Sequence, residues 1–295
     1  GDTPYSDVSK FENVLNAINA NNQIRFVLHA GDIKTGSSEC SDQLFADRLE
    51  RFSRFQAPFI LTLGDNEWTD CHRVTAGQYR PLERLEKLRE VFYPVPGQSL
   101  GKKPILVETQ SFDSQYPEFV EHVRWSQRNV VFAALHVVGS QNALGPFDPK
   151  STIKRTPADD AEVTRRIAAT SAWIRSTFLR AKANEALGVL FLFQANPMFE
   201  SQLGSANRTG FDELIELLKA EAIRFGKPVV LVHGDSHYMR IDKPLRHSDG
   251  SAVSNVTRVE TFGDNDYHWL RIVVDTSSTE VFSVHQEIVY ENIPK

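Results

Sequence analysis

Apolar, strand-like runs alternate with helical patterns along most of this chain. A helical face marked by Val8, Phe11 and Leu15 precedes a strand at residues 24–29, and a second helix precedes a strand at residues 58–63. Such alternation is typical of βαβ units, in which parallel strands are covered by the connecting helices. The sequence therefore predicts an α/β fold with a largely parallel sheet.

The same order continues through the second half of the chain. Two strand-like stretches within residues 116–138 flank Ser126 to Asn129, which predicts an antiparallel hairpin. Thr156-Pro157 with Asp159 predicts the start of a long helix. Strands at residues 188–193 and 228–233, a helix at about 211–224 between them, and three β-rich segments complete the pattern. Because there is no internal repeat or convincing linker, we predict one domain over residues 1–295.

Composition and charge restrict the classes of partner. Hydrophobic residues make up 41% of the 295 positions and charged residues 24%, which is typical of a globular protein with a sizeable core. A net charge of -5 provides no basic field for nucleic acid, and no apolar run is long enough to insert into a membrane. A small molecule or a protein is therefore the expected partner.

Acidic residues follow glycine where four strands are predicted to end. In parallel α/β sheets, ligands bind at the carboxyl ends of the strands, so acids that are distant in sequence converge there. A single Gly-Asp pair is more simply explained as a turn or a helix cap, whereas the repeated position predicts a shared site. The residues concerned are Asp2, Asp32, Asp65 and Asp235, with His237 two positions after the last.

The order of these motifs resembles that of calcineurin-like metallophosphoesterases. The motifs are Gly1-Asp2, Gly31-Asp32, Gly64-Asp65-Asn66-Glu67 and Gly234-Asp235-Ser236-His237. The resemblance implies a four-layer α/β/β/α sandwich with a two-metal centre that hydrolyses phosphate esters. It also implies that a core strand stands immediately before Gly1.

The resemblance further assigns roles to individual residues. It implies that Asp32 bridges two metals and that Asn196 is an additional ligand. One metal would be held by Asp2 and His237 and the other by Asp65 and Asp235, and the catalytic positions would be Asp65, Asn66 and His237.

Several histidines of the family pattern are replaced in this chain. The usual Asp-x-His is Asp2-Thr3-Pro4, Gly-Asn-His-Glu is Gly64-Asp65-Asn66-Glu67, the fourth motif is Gln194-Ala195-Asn196, and Gly-His-x-His ends on His237. Oxygen ligands in place of imidazole favour magnesium, manganese or calcium over zinc. Two hypotheses stay open: metal-dependent hydrolysis of a small-molecule phosphate ester, and a noncatalytic relative that binds a phosphorylated ligand or a protein.

Other polar residues have both a functional and a structural interpretation. Because Asn66 has no transferable proton, Glu67 or His72 is a candidate for the missing acid, and each is otherwise a turn-stabilising or solvated group. Lys34 and Arg240 are candidates for phosphate binding and are otherwise surface charges. We expect core positions for His29, His136 and His233, and a turn outside the site for residues 264–266.

The two cysteines, Cys40 and Cys71, each follow a Gly-Asp motif. Their spacing predicts a disulfide, and the alternative is two unrelated reduced thiols. A disulfide favours a secreted or periplasmic protein.

Overall fold

The computed structural model describes residues 1–5 and 7–294, and these form a mixed α/β structure. The helices are α1 (Val8–Ala20), α2 (Asp42–Ser53), α3 (Pro81–Phe92), the single turn α4 (Gly139–Asn142), α5 (Pro157–Ala183) and α6 (Asp212–Phe225). The strands are β1 (Val27–His29), β2 (Phe59–Leu61), β3 (Glu108–Thr109), β4 (Val123–Gln127), β5 (Val130–Ala134), β6 (Gly188–Leu192), β7 (Val229–His233), β8 (Arg240–Asp242), β9 (Val256–Glu260), β10 (Trp269–Val274) and β11 (Phe282–Glu287).

A seven-stranded mixed sheet has the order β3-β4-β5-β6-β7-β9-β8. Its centre, β5-β6-β7-β9, is parallel, and the strands at both edges pair antiparallel. The predicted hairpin is confirmed in β4 and β5, where Arg128 and Asn129 both have positive φ, as a two-residue type I′ turn requires. The prediction of a largely parallel sheet is thus correct only for its centre.

Two smaller sheets are separate from the large one, because their strands do not pair with its strands. β1 and β2 pair in parallel, and β10 and β11 pair antiparallel. The predicted strands at residues 24–29 and 58–63 are present but shorter than expected. Because strand pairing depends on contacts distant in sequence, the sequence pattern did not indicate this division.

Alternating side chains on the large sheet pack in two directions. Phe191 and Leu231 face α5 and α6, whereas Leu192 and Val232 belong to a cluster that also contains Ile60 of β2. On the other side of β2, a further cluster joins Phe59 and Leu61 to apolar side chains of α1, α2 and α3. Apolar contacts thus cover both faces of the large sheet and of β2. Polar groups can therefore be placed at the ends of the strands.

The start of α5 follows the predicted signal. Pro157 occupies the first turn, and Thr156 and Asp159 form a reciprocal capping box. In the part of the chain that the structure describes, no helix combines the length and apolarity needed to cross a membrane.

An apolar cavity of about 360 Å³ lies between β1 and β10. Phe26, Leu28 and Ile272 are among its lining residues, and Gly1 also borders it. The backbone N–H of Asp2 donates to the carbonyl of Gly31, just past β1, at 2.9 Å. The core strand expected before Gly1 stays a prediction.

Candidate metal centre

Three carboxylates meet where β1, β2 and β7 end. Asp32, Asp65 and Asp235 each offer one carboxylate oxygen, and these oxygens all lie within 4.8 Å of one another. Asp32 and Asp65 are buried and Asp235 is partly buried. Three carboxylates at this separation repel one another in a poorly hydrated site, so a cation among them is electrostatically favourable.

Two of the motif glycines allow the carboxylates to approach the backbone. A Cβ atom at Gly64 would stand 2.0 Å from Oδ1 of Asp32, and one at Gly234 would stand 2.3 Å from Oδ2 of Asp2. No side chain fits at such distances. The Gly-Asp pattern therefore reflects packing at the centre as well as turn formation.

Asp2 and His237 lie beside this carboxylate group. The backbone N–H of Asp235 is 3.1 Å from Oδ1 and 3.2 Å from Oδ2 of Asp2. Nε2 of His237 lies 3.5 Å from Oδ1 of Asp2. The structure thus brings the four motif aspartates and His237 to one edge of the molecule's sheets.

Tyr5 contacts Asn66, Asp32 and His237, and no motif in the sequence points to it. Its hydroxyl accepts a hydrogen bond from Nδ2 of Asn66 at 3.0 Å and lies 3.5 Å from Oδ2 of Asp32. It also lies 3.3 Å from Nε2 of His237. Tyr5 follows the first motif by three positions, and that proximity was the one signal in the sequence.

Side-chain amides orient the carboxylates. Asn66 donates from Nδ2 to Oδ2 of Asp32 at 2.9 Å and from its backbone N–H to Oδ1 at 3.2 Å. Nε2 of Gln194 lies 3.1 Å from Oδ2 of Asp32 and 3.2 Å from Oδ1 of Asp235. These amides hold the Asp32 carboxylate from two loops.

Asn196, the predicted additional ligand, is engaged differently. Its backbone N–H donates to Oδ2 of Asp235 at 2.9 Å. Its side chain donates to Oγ of Ser236 at 2.6 Å and accepts from the N–H of Met198 at 3.1 Å. Among the hydrogen bonds of the described residues, Gln194 rather than Asn196 places its side chain against the carboxylates.

A left-handed turn brings a hydroxyl group to Asp65. Ser140 Oγ lies 2.8 Å from Oδ2 of Asp65 and 2.9 Å from Oδ1 of Asp70. Ser140, Gln141, Asn142 and Ala143 all have positive φ, between 50° and 65°. The left-handed conformation costs roughly 1–2 kcal/mol per non-glycine residue, so surrounding contacts must hold this turn. Asp70 and Ser140 were not predicted, because neither belongs to a recognisable motif.

Helix α5, the segment just before it and the Gln194 loop supply such contacts. Arg166, which is fully buried, donates from Nη2 to the carbonyl of Asn142 at 3.1 Å and from Nη1 to its side-chain oxygen. Arg155 donates to the carbonyl of Ala143 at 2.8 Å. Oε1 of Gln194 accepts from the N–H of Gly139 at 2.7 Å. The turn is thus fixed on both sides.

Burial raises the pKa of five carboxyl groups at and around the centre. The pKa rises well above the ordinary range in Asp32 and Asp235, first through burial and then through the charge of Asp65. The pKa rises to about 7 in Asp2, Glu67 and Asp70, with burial again the largest cause. Ionising all of these groups together without a cation is therefore unfavourable.

One buried oxygen supports a cation at this position. Among the residues that the structure describes, the buried Oδ1 of Asp65 has no hydrogen-bond partner, whereas Oδ2 is bonded to Ser140. A buried carboxylate oxygen without a partner is costly unless a ligand satisfies it. The donors here are mainly oxygen atoms, which suit hard divalent cations. The residues present therefore fit the metal that the sequence predicted.

Glu67 and His72 have structural contacts. Oε1 of Glu67 accepts from the N–H of Gly64 at 2.6 Å, and Oε2 accepts from the N–H of Ile33 at 3.4 Å. The ring of His72 stacks on Phe147 with centroids 4.1 Å apart. Glu67 thus ties together the loops that carry Asp32 and Asp65, in agreement with the turn-stabilising interpretation.

Lys34 lies inside the protein, so its interpretation as a surface charge is wrong. It is fully buried, and Nζ donates to the carbonyls of Thr35 and Asn66, both at 2.7 Å. Burial lowers its pKa to about 8. These two hydrogen bonds make Lys34 a support for the loop of Asn66.

Arg240 is paired with two carboxylates. Its Nε lies 2.5 Å from Glu260 and its Nη1 lies 3.0 Å from Glu200. Phosphate binding by Arg240 stays a prediction.

The expected turn outside the site is confirmed as a turn, but it contacts the centre's surroundings. Asp264 and Asn265 form the turn, and Oδ1 of Asp264 accepts from the Tyr267 hydroxyl at 2.8 Å. That hydroxyl in turn accepts from the N–H of Tyr5 at 3.1 Å. Asp264 and Tyr267 therefore help to position Tyr5.

The predicted disulfide is present. Cys40 and Cys71 are bonded, with Cα atoms 5.8 Å apart, and no free cysteine exists in the chain. The bond joins the segment after Asp32 to the segment after Asp65. The three histidines predicted for the core, His29, His136 and His233, are buried.

A comparison with known families adds one finding. A family model described as calcineurin-like phosphoesterase matches residues 1–159, just over half of the chain. The match includes Asp2, Asp32, Asp65 and the Ser140 turn. No curated protein matches the sequence significantly.

Proposed function

This chain belongs to the calcineurin-like phosphoesterase family, and we propose that it hydrolyses a small-molecule phosphate ester at the centre formed by Asp32, Asp65 and Asp235. The observation that carries the proposal is the approach of three carboxylate oxygens to within 4.8 Å of one another. Oδ1 of Asp65, which is buried and has no partner in the described part of the chain, adds a reason for a cation there.

The ligands favour one or two ions of manganese, magnesium or calcium over zinc. Asp32 would bridge, Asp65 and Asp235 would hold one ion, and Asp2 with His237 would hold the other. When bound, such ions supply positive charge to the phosphoryl oxygens and polarise water for attack.

Side chains of the centre would orient the metal ligands, and one of them, His237, could accept a proton. Hydrogen bonds from Asn66 and Gln194 fix the direction of the Asp32 carboxylate. Burial lowers the pKa of His237, so its imidazole is neutral near pH 7 and offers a nitrogen lone pair to a cation or a proton. Arg240, whose side chain is 27% exposed, is the better placed of the two predicted phosphate-binding cations, since Lys34 is fully buried.

Metal analysis and an ester assay test the proposal together. Protein purified without chelator should contain manganese, magnesium or calcium at a stoichiometry of about one or two per chain, and should hydrolyse a phosphomonoester or a phosphodiester. Chelation should abolish turnover, and readdition of manganese should restore it. A protein that binds no divalent cation would overturn the proposal.

The replaced histidines favour a second candidate, a noncatalytic member of the family. Only His237 among the described residues brings an imidazole into hydrogen-bonding distance of the motif aspartates. Metal binding without hydrolysis of any ester tested would support a protein that binds a phosphorylated ligand or a protein partner.

Two further expectations accompany this proposal. The apolar clusters on both faces of the large sheet, with β2 between two of them, support the four-layer α/β/β/α sandwich. The Cys40–Cys71 disulfide supports an oxidising location such as the periplasm or the extracellular space.

A further inference from the structure

We propose that Ser140 is a positioning residue, which directs Asp65 so that one carboxylate oxygen stays available to the cation. This inference rests on the proposed function, because it concerns the same centre. It goes further by assigning a role to a turn that belongs to none of the motifs from which the centre was predicted.

The two oxygens of Asp65 have different contacts. Ser140 Oγ lies 2.8 Å from Oδ2, whereas the buried Oδ1 has no partner among residues 1–5 and 7–294. The hydroxyl therefore engages one oxygen and holds the plane of the carboxylate, because turning that plane away from Ser140 would break this hydrogen bond. In metal sites, groups that hydrogen-bond a ligand in this way orient it and raise the metal affinity.

The Ser140 hydroxyl also contacts Asp70, which fixes its position. Oγ of Ser140 also lies 2.9 Å from Oδ1 of Asp70, and Oδ2 of Asp70 lies 2.6 Å from Nη2 of Arg73. Asp70 is itself buried, and its backbone N–H donates to the carbonyl of Asp65 at 3.0 Å. The hydroxyl is thus placed between two carboxylates, of which Asp70 is anchored by Arg73.

The backbone of Ser140 has a left-handed conformation. Ser140 has φ 50° and ψ 44° and is followed by three further residues with positive φ. Glycine would adopt this conformation with less strain, so the serine at this position needs a reason other than turn formation. The contacts of its hydroxyl with the carboxyl groups of Asp65 and Asp70 supply that reason.

The experiment separates the hydroxyl from the strained backbone. Ser140→Ala removes the hydroxyl and keeps the strain, and Ser140→Gly removes both. Gln141→Gly relieves strain in the same turn, at an exposed side chain that makes no hydrogen bond with any described residue, and it serves as the matched control. Calorimetric titration with Mn²⁺ gives the dissociation constant, and thermal unfolding of the metal-free proteins gives Tm.

We expect Ser140→Ala and Ser140→Gly to bind Mn²⁺ about 10- to 100-fold more weakly than wild type, as is typical when a group supporting a metal ligand is lost. Gln141→Gly should keep the wild-type dissociation constant. Both glycine variants should unfold at or above the wild-type Tm, because they relieve a left-handed residue.

Wild-type affinity in Ser140→Gly would overturn the positioning role, and this variant keeps the test decisive should Ser140→Ala fail to fold. Equal losses in Ser140→Gly and Gln141→Gly would also overturn it, since the turn's backbone rather than the hydroxyl would then matter. Absence of Mn²⁺ binding in the wild type would instead remove the proposed metal centre itself.

Discussion

The carboxylate of Asp32 is contacted by two side-chain amides and lies close to other carboxylates. Oδ2 accepts from Asn66 at 2.9 Å and lies 3.1 Å from Nε2 of Gln194. These donors favour the ionised form, yet burial and the charge of Asp65 raise the pKa of Asp32 well above its ordinary value. The metal-free centre is therefore held in an electrostatically unfavourable state that a cation relieves.

Replacing Asp32 with Asn should separate cation binding from stability. Asp32→Asn keeps the side chain's shape and removes one charge, so Mn²⁺ affinity measured by calorimetry should fall by a factor on the order of 100, and phosphatase activity should fall with it. The Tm of the metal-free variant at pH 8 should rise, because one fewer buried carboxylate must ionise. Circular dichroism should confirm an unchanged fold.

Asp266→Asn is the matched control, because it removes the same charge from an exposed side chain on the loop before β10. It should leave both Mn²⁺ affinity and turnover unchanged. If a folded Asp32→Asn protein bound Mn²⁺ and turned over as wild type does, the bridging role would be rejected.

At the same scale, the sequence indicated the charged residues of the centre and Asn66, but not their other partners. Asp2, Asp32, Asp65 and Asp235 could be predicted because glycine precedes each where a strand was expected to end. The contacts of Tyr5, Gln194 and Ser140 with these aspartates could not be, because they depend on tertiary contacts between distant loops. The burial of Lys34 was missed for a related reason: two backbone carbonyls satisfy its ammonium group in a way that residue type does not indicate.

Among the elements, the loops after β1 and β2 are joined by the Cys40–Cys71 disulfide. The double variant Cys40→Ser with Cys71→Ser should lose about 3.7 kcal/mol of unfolding free energy, as expected for closing a loop of 31 residues. Mn²⁺ affinity should fall as well, because the loops that carry Asp32 and Asp65 are then less constrained. Urea denaturation and calorimetric titration measure the two effects.

The control without any substitution is wild-type protein in a reducing agent. Alkylation of the freed thiols, detected by mass spectrometry, shows that the disulfide is reduced. The reduced protein should resemble the double variant in both measurements. Unfolding curves that coincide for oxidised and reduced protein would show that the disulfide does not stabilise these loops.

Local signals in the sequence predicted the helices and turns well, whereas the pairing of strands that are distant in sequence could not be predicted. The capping box at Thr156 and Asp159 and the hairpin turn at Arg128 and Asn129 are encoded within a few residues, and both could be predicted. The separation of β1 and β2 from the large sheet could not be, because it depends on which distant strand each one meets. The left-handed turn at Ser140 lacks the glycine that usually marks such a conformation.

For the whole molecule, the buried carboxylates make the stability of the metal-free protein depend on pH. A carboxyl group whose pKa is raised in the folded state binds more protons there than in the unfolded state, so stability falls as pH rises through the folded pKa. Five such groups surround the centre, and three of them have a pKa of about 7. Buried histidines act in the opposite direction, but below the ordinary histidine pKa of about 6.5.

The Tm of the protein in chelator should therefore decline between about pH 6.5 and pH 8, and scanning calorimetry at several pH values measures this decline. The ammonium group of Lys34, whose pKa burial lowers to about 8, opposes the trend at the upper end of this range as a single group against several carboxylates. Saturating Mn²⁺ should flatten the profile, because a bound cation keeps the carboxylates ionised in the folded state. Asp32→Asn should show a shallower decline in chelator than wild type. A Tm in chelator that stays constant or rises over this range would mean that the carboxylates do not repel one another in the folded protein, and the electrostatic reason for a cation would be lost.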